Sequence, residues 1–328
     1  MTSTLRIHFI TLTDIHASEH IYMTELREAL LKYDIVEVDD WRDADVIHLF
    51  EVNFYSRAAI TEFEYPRLHC ILKSDIPVVV STDDLFFIDE RELTAHPWLY
   101  PLNRRTQCWL FDKCDVIMAV SENVKENLVH HVNADKIHIV RHGVSDIYRV
   151  DYPSTTDDPF VLHVSLASYR KNPDAILNAA RRLNIPFKIA GSGWDKLVSE
   201  EPEMKNVEAL GYVPEDELIE LYKRAAIFYF PTLHEGFGLP VLEAMAAGCA
   251  VVTSNTYAVP EVTGDAAILL DPNAVDRHVE AINYLAESSS ERLGLATQAI
   301  DRSQRFSWEK TARETIEAYR SVLDEEKP

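Results

Sequence analysis

The chain has 328 residues, 47% of them apolar, and a formal net charge of -22. That length suits two domains better than one. The charge excludes a surface built to attract nucleic acid or anionic lipid, and the absence of any uninterrupted apolar run of about 18 residues predicts no membrane span.

The start, MTSTLRIHFITLTD, carries one Arg and a short apolar run, which is not the pattern of a secretory leader. Cys70, Cys108, Cys114 and Cys249 show neither metal spacing nor a disulfide framework. They are expected to be reduced, mostly buried thiols in a cytoplasmic protein, at most peripherally attached to the inner face of a membrane.

Along the chain, apolar runs alternate with amphipathic stretches. LRIHFITLTD reads as a strand and TELREALLKY as a helix at 3.6-residue spacing. DVIHLFEV, IPVVVSTDD and CDVIMAVS read as strands, SENVKENLVHHV as a helix capped by Ser121, and IHIVRHGV as another strand. These strands are continuous Val/Ile/Leu runs, as in parallel sheets covered on both faces. The alternation predicts an α/β fold of Rossmann type.

Between Arg149 and Phe160 the pattern breaks into the polar, Pro-containing RVDYPSTTDDPF, which reads as an interdomain linker. The alternation then resumes through FVLHVSL, DAILNAARRL, PFKIAG, NVEALGYV, ELIELYKRAA, IFYFP, AVVTS and AAILLD. The expected organisation is two Rossmann-like domains, residues 1–150 and 151–328. Ligands of open α/β sheets bind beyond the carboxyl ends of the strands, so the active site is expected in a cleft between the two domains. FSWEKTARETIEAYRSVL is an amphipathic helix that closes the chain, expected to pack back toward the N-terminal domain.

The most informative stretch is HEGFGLPVLEAMAAG, His234 to Gly248. Pro240 suits the start of a helix and Gly248 its end. Gly236 and Gly238 let backbone N–H groups come close to a ligand, and the helix N-terminus adds a positive dipole end. Glu235 in the loop and Glu243 in the helix are acceptors for vicinal hydroxyls. Loop amides for phosphate and carboxylates for hydroxyls together suit a sugar nucleotide.

This stretch resembles the E-x7-E region of glycosyltransferase family 4, retaining enzymes of GT-B fold, and is similar to bacterial and archaeal mannosyltransferase-like members. VLHVSLASYRKNPDAILNAA, KIAGSG, ALGYVPEDELIELYKRA, VPEVTGDAAILLDP and the FSW helix resemble it too. In the first half only CDVIMAVSENVKENL and IVRHGVSDIY do. The resemblance implies an N-terminal acceptor-binding and a C-terminal donor-binding domain. Glu243 is implied to hold the nucleotide ribose, Glu235 the donor sugar, and Arg170 with Lys171 the diphosphate. The amides of Gly236, Phe237, Gly238 and Leu239 would face sugar hydroxyls and phosphate, with Val213 near the base through its backbone. Arg forks onto phosphate oxygens and Lys adds a point charge, which also stabilises a departing nucleoside diphosphate.

The chain departs from the family in three places. The first strand-to-helix loop, TLTDIHASEHIY, lacks the Gly-Gly of relatives, so Asp14 and His16 are acceptor or donor-sugar candidates by position only. Asp83 takes the place of a frequent His, and Ser165 that of a frequent Gly. The implied reaction moves a hexose with retention onto a hydroxyl of a glycan or lipid-linked acceptor, without metal or cofactor. GDP-mannose is the first expected donor and a UDP-sugar the next. HPWLYPLNRRTQCWLF, with Trp98, Tyr100, Arg104, Arg105 and Trp109, reads first as a packed connecting helix and second as a segment near the acceptor or membrane face.

Rival readings rest on less. Asp43-Ala44-Asp45 precedes a strand instead of ending one, and Gly191-Ser192-Gly193 has Lys196 where a dinucleotide fingerprint needs a third Gly. No zinc spacing and no G-x-S-x-G elbow occurs. A non-catalytic sugar-nucleotide-binding partner of another transferase stays open, as do a phosphorylase and a sugar-nucleotide epimerase.

Overall fold

The structure, a computed structural model, describes residues 4–11, 17–50, 64–83, 100–155, 158–201 and 203–323. The chain divides into two units, Met1–Gly143 with Ser307–Pro328, and Val144–Phe306.

Unit 1 contains β1 (Leu5–Thr11), α1 (Ala17–Leu30), β2 (Ile35–Glu37), β3 (Val46–Phe50), α2 (Glu64–Ile71), β4 (Val78–Thr82), α3 (Tyr100–Lys113), β5 (Val116–Ala119), α4 (Glu122–Leu128) and β6 (Ile137–Ile139). Its strands form one parallel sheet in the order β2-β1-β3-β4-β5-β6. β3, β4 and β5 are buried at every position, as continuous apolar runs predict. Ser121 caps α4, its Oγ accepting from the Val124 amide at 3.1 Å.

Unit 2 contains β7 (Val161–Val164), α5 (Pro173–Arg182), β8 (Phe187–Ala190), α6 (Trp194–Ser199), β9 (Val207–Gly211), α7 (Glu215–Arg224), β10 (Ile227–Phe230), α8 (Leu239–Ala246), β11 (Ala250–Ser254), α9 (Val259–Thr263), β12 (Ile268–Leu270), α10 (Val275–Glu287) and α11 (Ser289–Ser303). The sheet is parallel throughout, in the order β12-β11-β10-β7-β8-β9. After β7 the chain winds one way through β8 and β9, then returns to lay β10, β11 and β12 on the other side. The winding therefore reverses between β7 and β10, where an open α/β sheet parts its loops and takes a ligand. Each half is thus Rossmann-like.

The division falls at Gly143/Val144, upstream of the expected boundary at residue 150. The reason is packing. The Val150 amide donates to the Ala246 carbonyl at 3.1 Å, Arg149 donates to the Phe306 carbonyl at 2.8 Å, and Tyr148 packs edge-on against Tyr222. The start of the expected linker is thus part of unit 2.

The last helix, α12 (Trp308–Leu323), belongs to unit 1. Trp308, Thr311, Ala312, Thr315, Ile316 and Tyr319 form its buried stripe at the spacing of one helix face. The stripe ends in a polar link. His48 of β3, fully buried, has Nδ1 2.7 Å from the Tyr319 hydroxyl and Nε2 2.6 Å from Ser81 Oγ, which in turn lies 3.1 Å from the Tyr22 hydroxyl. Burial pushes the His48 imidazole down to about 3, so it stays neutral at pH 7. Of the four cysteines, all free thiols, Cys114 and Cys249 are buried, Cys108 is half-buried and Cys70 is exposed.

Candidate active site

Two loops meet at the reversal point of unit 2. One follows β7 and runs through Ser165 to Asn172; the other follows β10 and runs from Pro231 to Gly238. The Leu233 amide donates to the Arg170 carbonyl at 2.8 Å, and Asn172 Nδ2 donates to the carbonyls of Pro231 and Pro272 at 3.1 and 2.9 Å. Asn172 holds a left-handed backbone (φ 60°) at the N-cap of α5, with Pro173 as the first helical residue. Asn tolerates this conformation and Pro suits that position.

The loop after β7 is clamped from the other side by α6 and the loop that leads into it. The Trp194 indole donates to the Ser165 carbonyl at 2.7 Å, and the Ala167 amide donates to the Ser192 carbonyl at 3.0 Å. His163 Nδ1 lies 2.8 Å from the Tyr229 carbonyl, an acceptor only, so this nitrogen carries the proton and Nε2 accepts from the Ser165 hydroxyl at 2.7 Å. Burial holds the His163 imidazole down at about 4, hence neutral. Ser165 thus orders the loop through both its hydroxyl and its carbonyl.

Gly191 lies opposite that carbonyl with φ +127°, and a Cβ there would stand 1.9 Å from the Ser165 oxygen. Gly191→Ala is therefore expected to cost about 3 kcal/mol or more in urea unfolding, since backbone meets backbone and the φ is itself strained. A loss below about 1 kcal/mol would show that the β7 loop can move away.

Within this frame Lys171 reaches Glu235. Its Nζ stands 2.5 Å from Glu235 Oε1 and 5.0 Å from the centre of the Phe230 ring. Thr232 Oγ1 lies 2.9 Å from the same carboxylate oxygen. Glu235 is only 7% exposed. Burial pushes its carboxyl up, but Lys171, Arg170 and the bonds from Lys171 and Thr232 together outweigh this and hold it below its ordinary value. Glu235 is therefore a buried, ionised group, and a charge this deep needs its countercharge. Arg170 is half-buried in the same short turn. Beside Glu235, His234 is pushed down to about 4 by burial and the neighbouring Arg170, and its ring packs on Tyr257 at 4.1 Å.

α8 begins at Leu239, one residue before the expected Pro240, because Gly238 (φ +99°) forms its N-cap. No side chain caps this end, and the first N–H groups of a helix have no intrahelical partner. Gly236, Phe237 and Gly238 are buried, and the Phe237 ring packs edge-on against Phe306, so this residue has only its backbone to offer a ligand. Gly248 (φ +79°) follows the other end of the helix, as expected.

Glu243, the fifth residue of α8, is partly buried and accepts a 2.9 Å hydrogen bond at Oε2 from the Tyr222 hydroxyl of α7. Burial pushes its carboxyl up to about 7; the Tyr222 bond opposes this and Glu215 adds to it. The two glutamates thus differ in state: Glu235 is held ionised, whereas Glu243 titrates near neutrality. Val213 is half-buried two residues beyond β9, just before α7.

In unit 1, Asp83 follows β4 and its Oδ1 lies 3.2 Å from Nε2 of the buried His142, whose ring packs on Tyr22 at 4.3 Å. Asp14 and His16, with Asp84 and Trp98, lie outside the described residues. Arg104 and Arg105 are exposed on α3. Among the described residues, no group of three or more His, Cys, Asp or Glu could hold a metal ion, and no helix is long and apolar enough to cross a membrane.

Sequence reasoning missed Thr232, Asn172, Tyr222 and His142 as supporting groups. Asn172 had a local signal, an Asn before Pro at a helix start. Tyr222 and His142 reach their partners only through the fold.

Two family models match the chain: Glycosyltransferase Family 4 over residues 20–146, and Glycosyl transferases group 1 over residues 144–302. The chain is 31% identical over 233 residues to the O-antigen chain mannosyltransferase B of Escherichia coli, a match that covers 64% of this chain and 61% of that protein. The chain thus spans about three fifths of the length of this relative. Among solved structures, sucrose-phosphate synthase of Thermosynechococcus elongatus superposes with a TM-score of 0.78 at 16% identity, covering 97% of this chain and 98% of that one. The HepE protein of Anabaena, solved in complex with UDP-glucose, does so with a TM-score of 0.75 at 15% identity, covering 97% and 100%. These likenesses show the shared fold, and the family models show the kinship: the chain belongs to the family 4-type glycosyltransferases of GT-B fold.

Proposed function

We propose that the protein is a retaining glycosyltransferase that moves a hexose from a nucleoside-diphosphate sugar to a hydroxyl of a glycan or lipid-linked acceptor, without a metal. GDP-mannose is the favoured donor, on the likeness to a named mannosyltransferase; a UDP-sugar is next, on the UDP-glucose bound to the Anabaena protein. The reading rests on one observation: at the reversal point of unit 2, two cationic residues and an uncapped helix start adjoin an ionised carboxylate.

The chemistry follows from charge. Lys171 is neutralised by Glu235 at rest, so the diphosphate is met mainly by Arg170 and the α8 amides, with Lys171 shared between phosphate and carboxylate. Glu235, held ionised, accepts from donor-sugar hydroxyls, and ionised Glu243 accepts from the ribose. The acceptor oxygen bonds to the anomeric carbon on the face from which the bond to the β-phosphate oxygen breaks. That phosphate oxygen takes the acceptor's proton. Asp83 is proposed as a further sugar contact from unit 1.

Thermal unfolding with GDP, UDP and ADP and their sugar conjugates, with and without EDTA, tests this. A ligand at 100 times its Kd adds about 2.7 kcal/mol. Selective stabilisation by one nucleotide that survives EDTA, followed by release of that nucleoside diphosphate in the presence of an acceptor, is the expected result. Stabilisation without turnover on any glycan or lipid-linked acceptor would favour a non-catalytic binder instead.

A further inference from the structure

Tyr222 is fully buried on α7, and its surroundings fix it. Tyr148 packs on it edge-on at 5.6 Å, Phe228 lies against it at 5.6 Å, and the Cys249 thiol donates to its carbonyl at 3.1 Å. A buried phenol must find a partner for its hydroxyl, and this one donates to Glu243 Oε2 at 2.9 Å. The carboxylate has about four acceptor positions, of which Tyr222 takes one. Since Glu243 is only partly buried, the rest can meet a ligand.

We propose that Tyr222 is a positioning residue for nucleotide recognition: locked by its packing, it orients the Glu243 carboxylate so that the acid presents acceptor oxygens to the vicinal hydroxyls of a ribose. This rests on the reading of Glu243 as a ribose contact given above. The charged and titratable surroundings agree. On α7, Glu215 disfavours the ionised form of Glu243 and Tyr222 favours it. On α11, against which α8 packs, Arg302 is engaged with the carbonyls of Val262 and Glu261 at 3.0 and 2.6 Å. From the segment before β7, Tyr148 acts on Tyr222. Tyr222 is thus the neighbour that offsets the effect of burial on Glu243.

The test is Tyr222→Phe, which keeps the ring and removes the hydroxyl. GDP and UDP are titrated calorimetrically between about pH 5.5 and 9, and the Glu243 carboxyl is followed by ¹³C NMR in the free protein. Loss of a hydrogen bond to a charged group is worth about tenfold or more in affinity at pH 7. The affinity is expected to recover toward pH 9, with the Glu243 midpoint moved upward in Tyr222→Phe. On a Glu243→Gln background, Tyr222→Phe is expected to change nucleotide affinity by less than about twofold, since its effect passes through the carboxylate. Uniformly weaker binding with an unmoved midpoint, or an equal loss on the Glu243→Gln background, would make Tyr222 a packing residue and overturn the proposal alone. Absence of nucleotide binding by the unaltered protein would overturn the ribose reading, and the proposal with it.

Discussion

Lys171→Ala is expected to reduce sugar transfer by about a thousandfold, the scale seen when a preorganised group that meets developing charge is removed. It is also expected to destabilise the fold by about 3 kcal/mol, because it leaves Glu235 buried without its countercharge. The two effects separate with pH. In the unaltered protein the Glu235 carboxyl lies below its ordinary value of 4.5, so it contributes stability above 4.5 that is lost as pH falls through its folded value. Without Lys171, burial dominates and the carboxyl rises above 4.5. The penalty is then small in acid, where Glu235 takes up a proton, and grows as pH rises.

Urea unfolding of Lys171→Ala at about pH 5 and about pH 8 should therefore show the larger loss at the higher pH. Glu235→Gln on the Lys171→Ala background should restore most of the stability and none of the transfer. An equal loss at both pH values would mean that the missing packing of Lys171 on Phe230, not the bare carboxylate, carries the effect.

That prediction depends on a feature half legible in the sequence. The alternation of apolar runs and helices identified two Rossmann-like halves, since burial on both faces of a parallel strand leaves a continuous Val/Ile/Leu signature. The helix after Gly238 was legible because Gly, Pro and a closing Gly punctuate it locally. The partners were not. Lys171 and Glu235 are 64 residues apart and meet only because β7 and β10 are neighbours where the winding reverses. No periodicity encodes that adjacency. The domain boundary was misplaced for a related reason: RVDYPSTTDDPF has the composition of a linker, yet Val150 and Arg149 are pinned by carbonyls of Ala246 and Phe306 far along the chain. The same holds for the terminal FSW helix, whose stripe is readable but whose Tyr319–His48 link to the sheet is not.

Glu243→Gln is expected to make the protein more stable at about pH 8, by about 2 kcal/mol, while weakening nucleotide binding by about tenfold to a hundredfold. The sign follows from the direction of the shift. The Glu243 carboxyl is raised from 4.5 to about 7 in the folded protein. Its contribution is fully present below 4.5 and is lost as pH rises through about 7, where a partly buried carboxylate must ionise. A shift of this size corresponds to about 3 kcal/mol, which partial exposure lowers. Gln keeps the shape and an acceptor for Tyr222 but never ionises, so it escapes the loss at pH 8 and gains little at pH 5. A side chain that weakened the fold at working pH, in a helix that Leu or Gln would suit as well, would be accounted for by what it binds. Greater stability with lost nucleotide affinity would place Glu243 among groups kept for recognition at the expense of the fold. A stability loss at pH 8 would instead make it a structural acceptor for the Tyr222 hydroxyl, and the ribose would have to be held elsewhere.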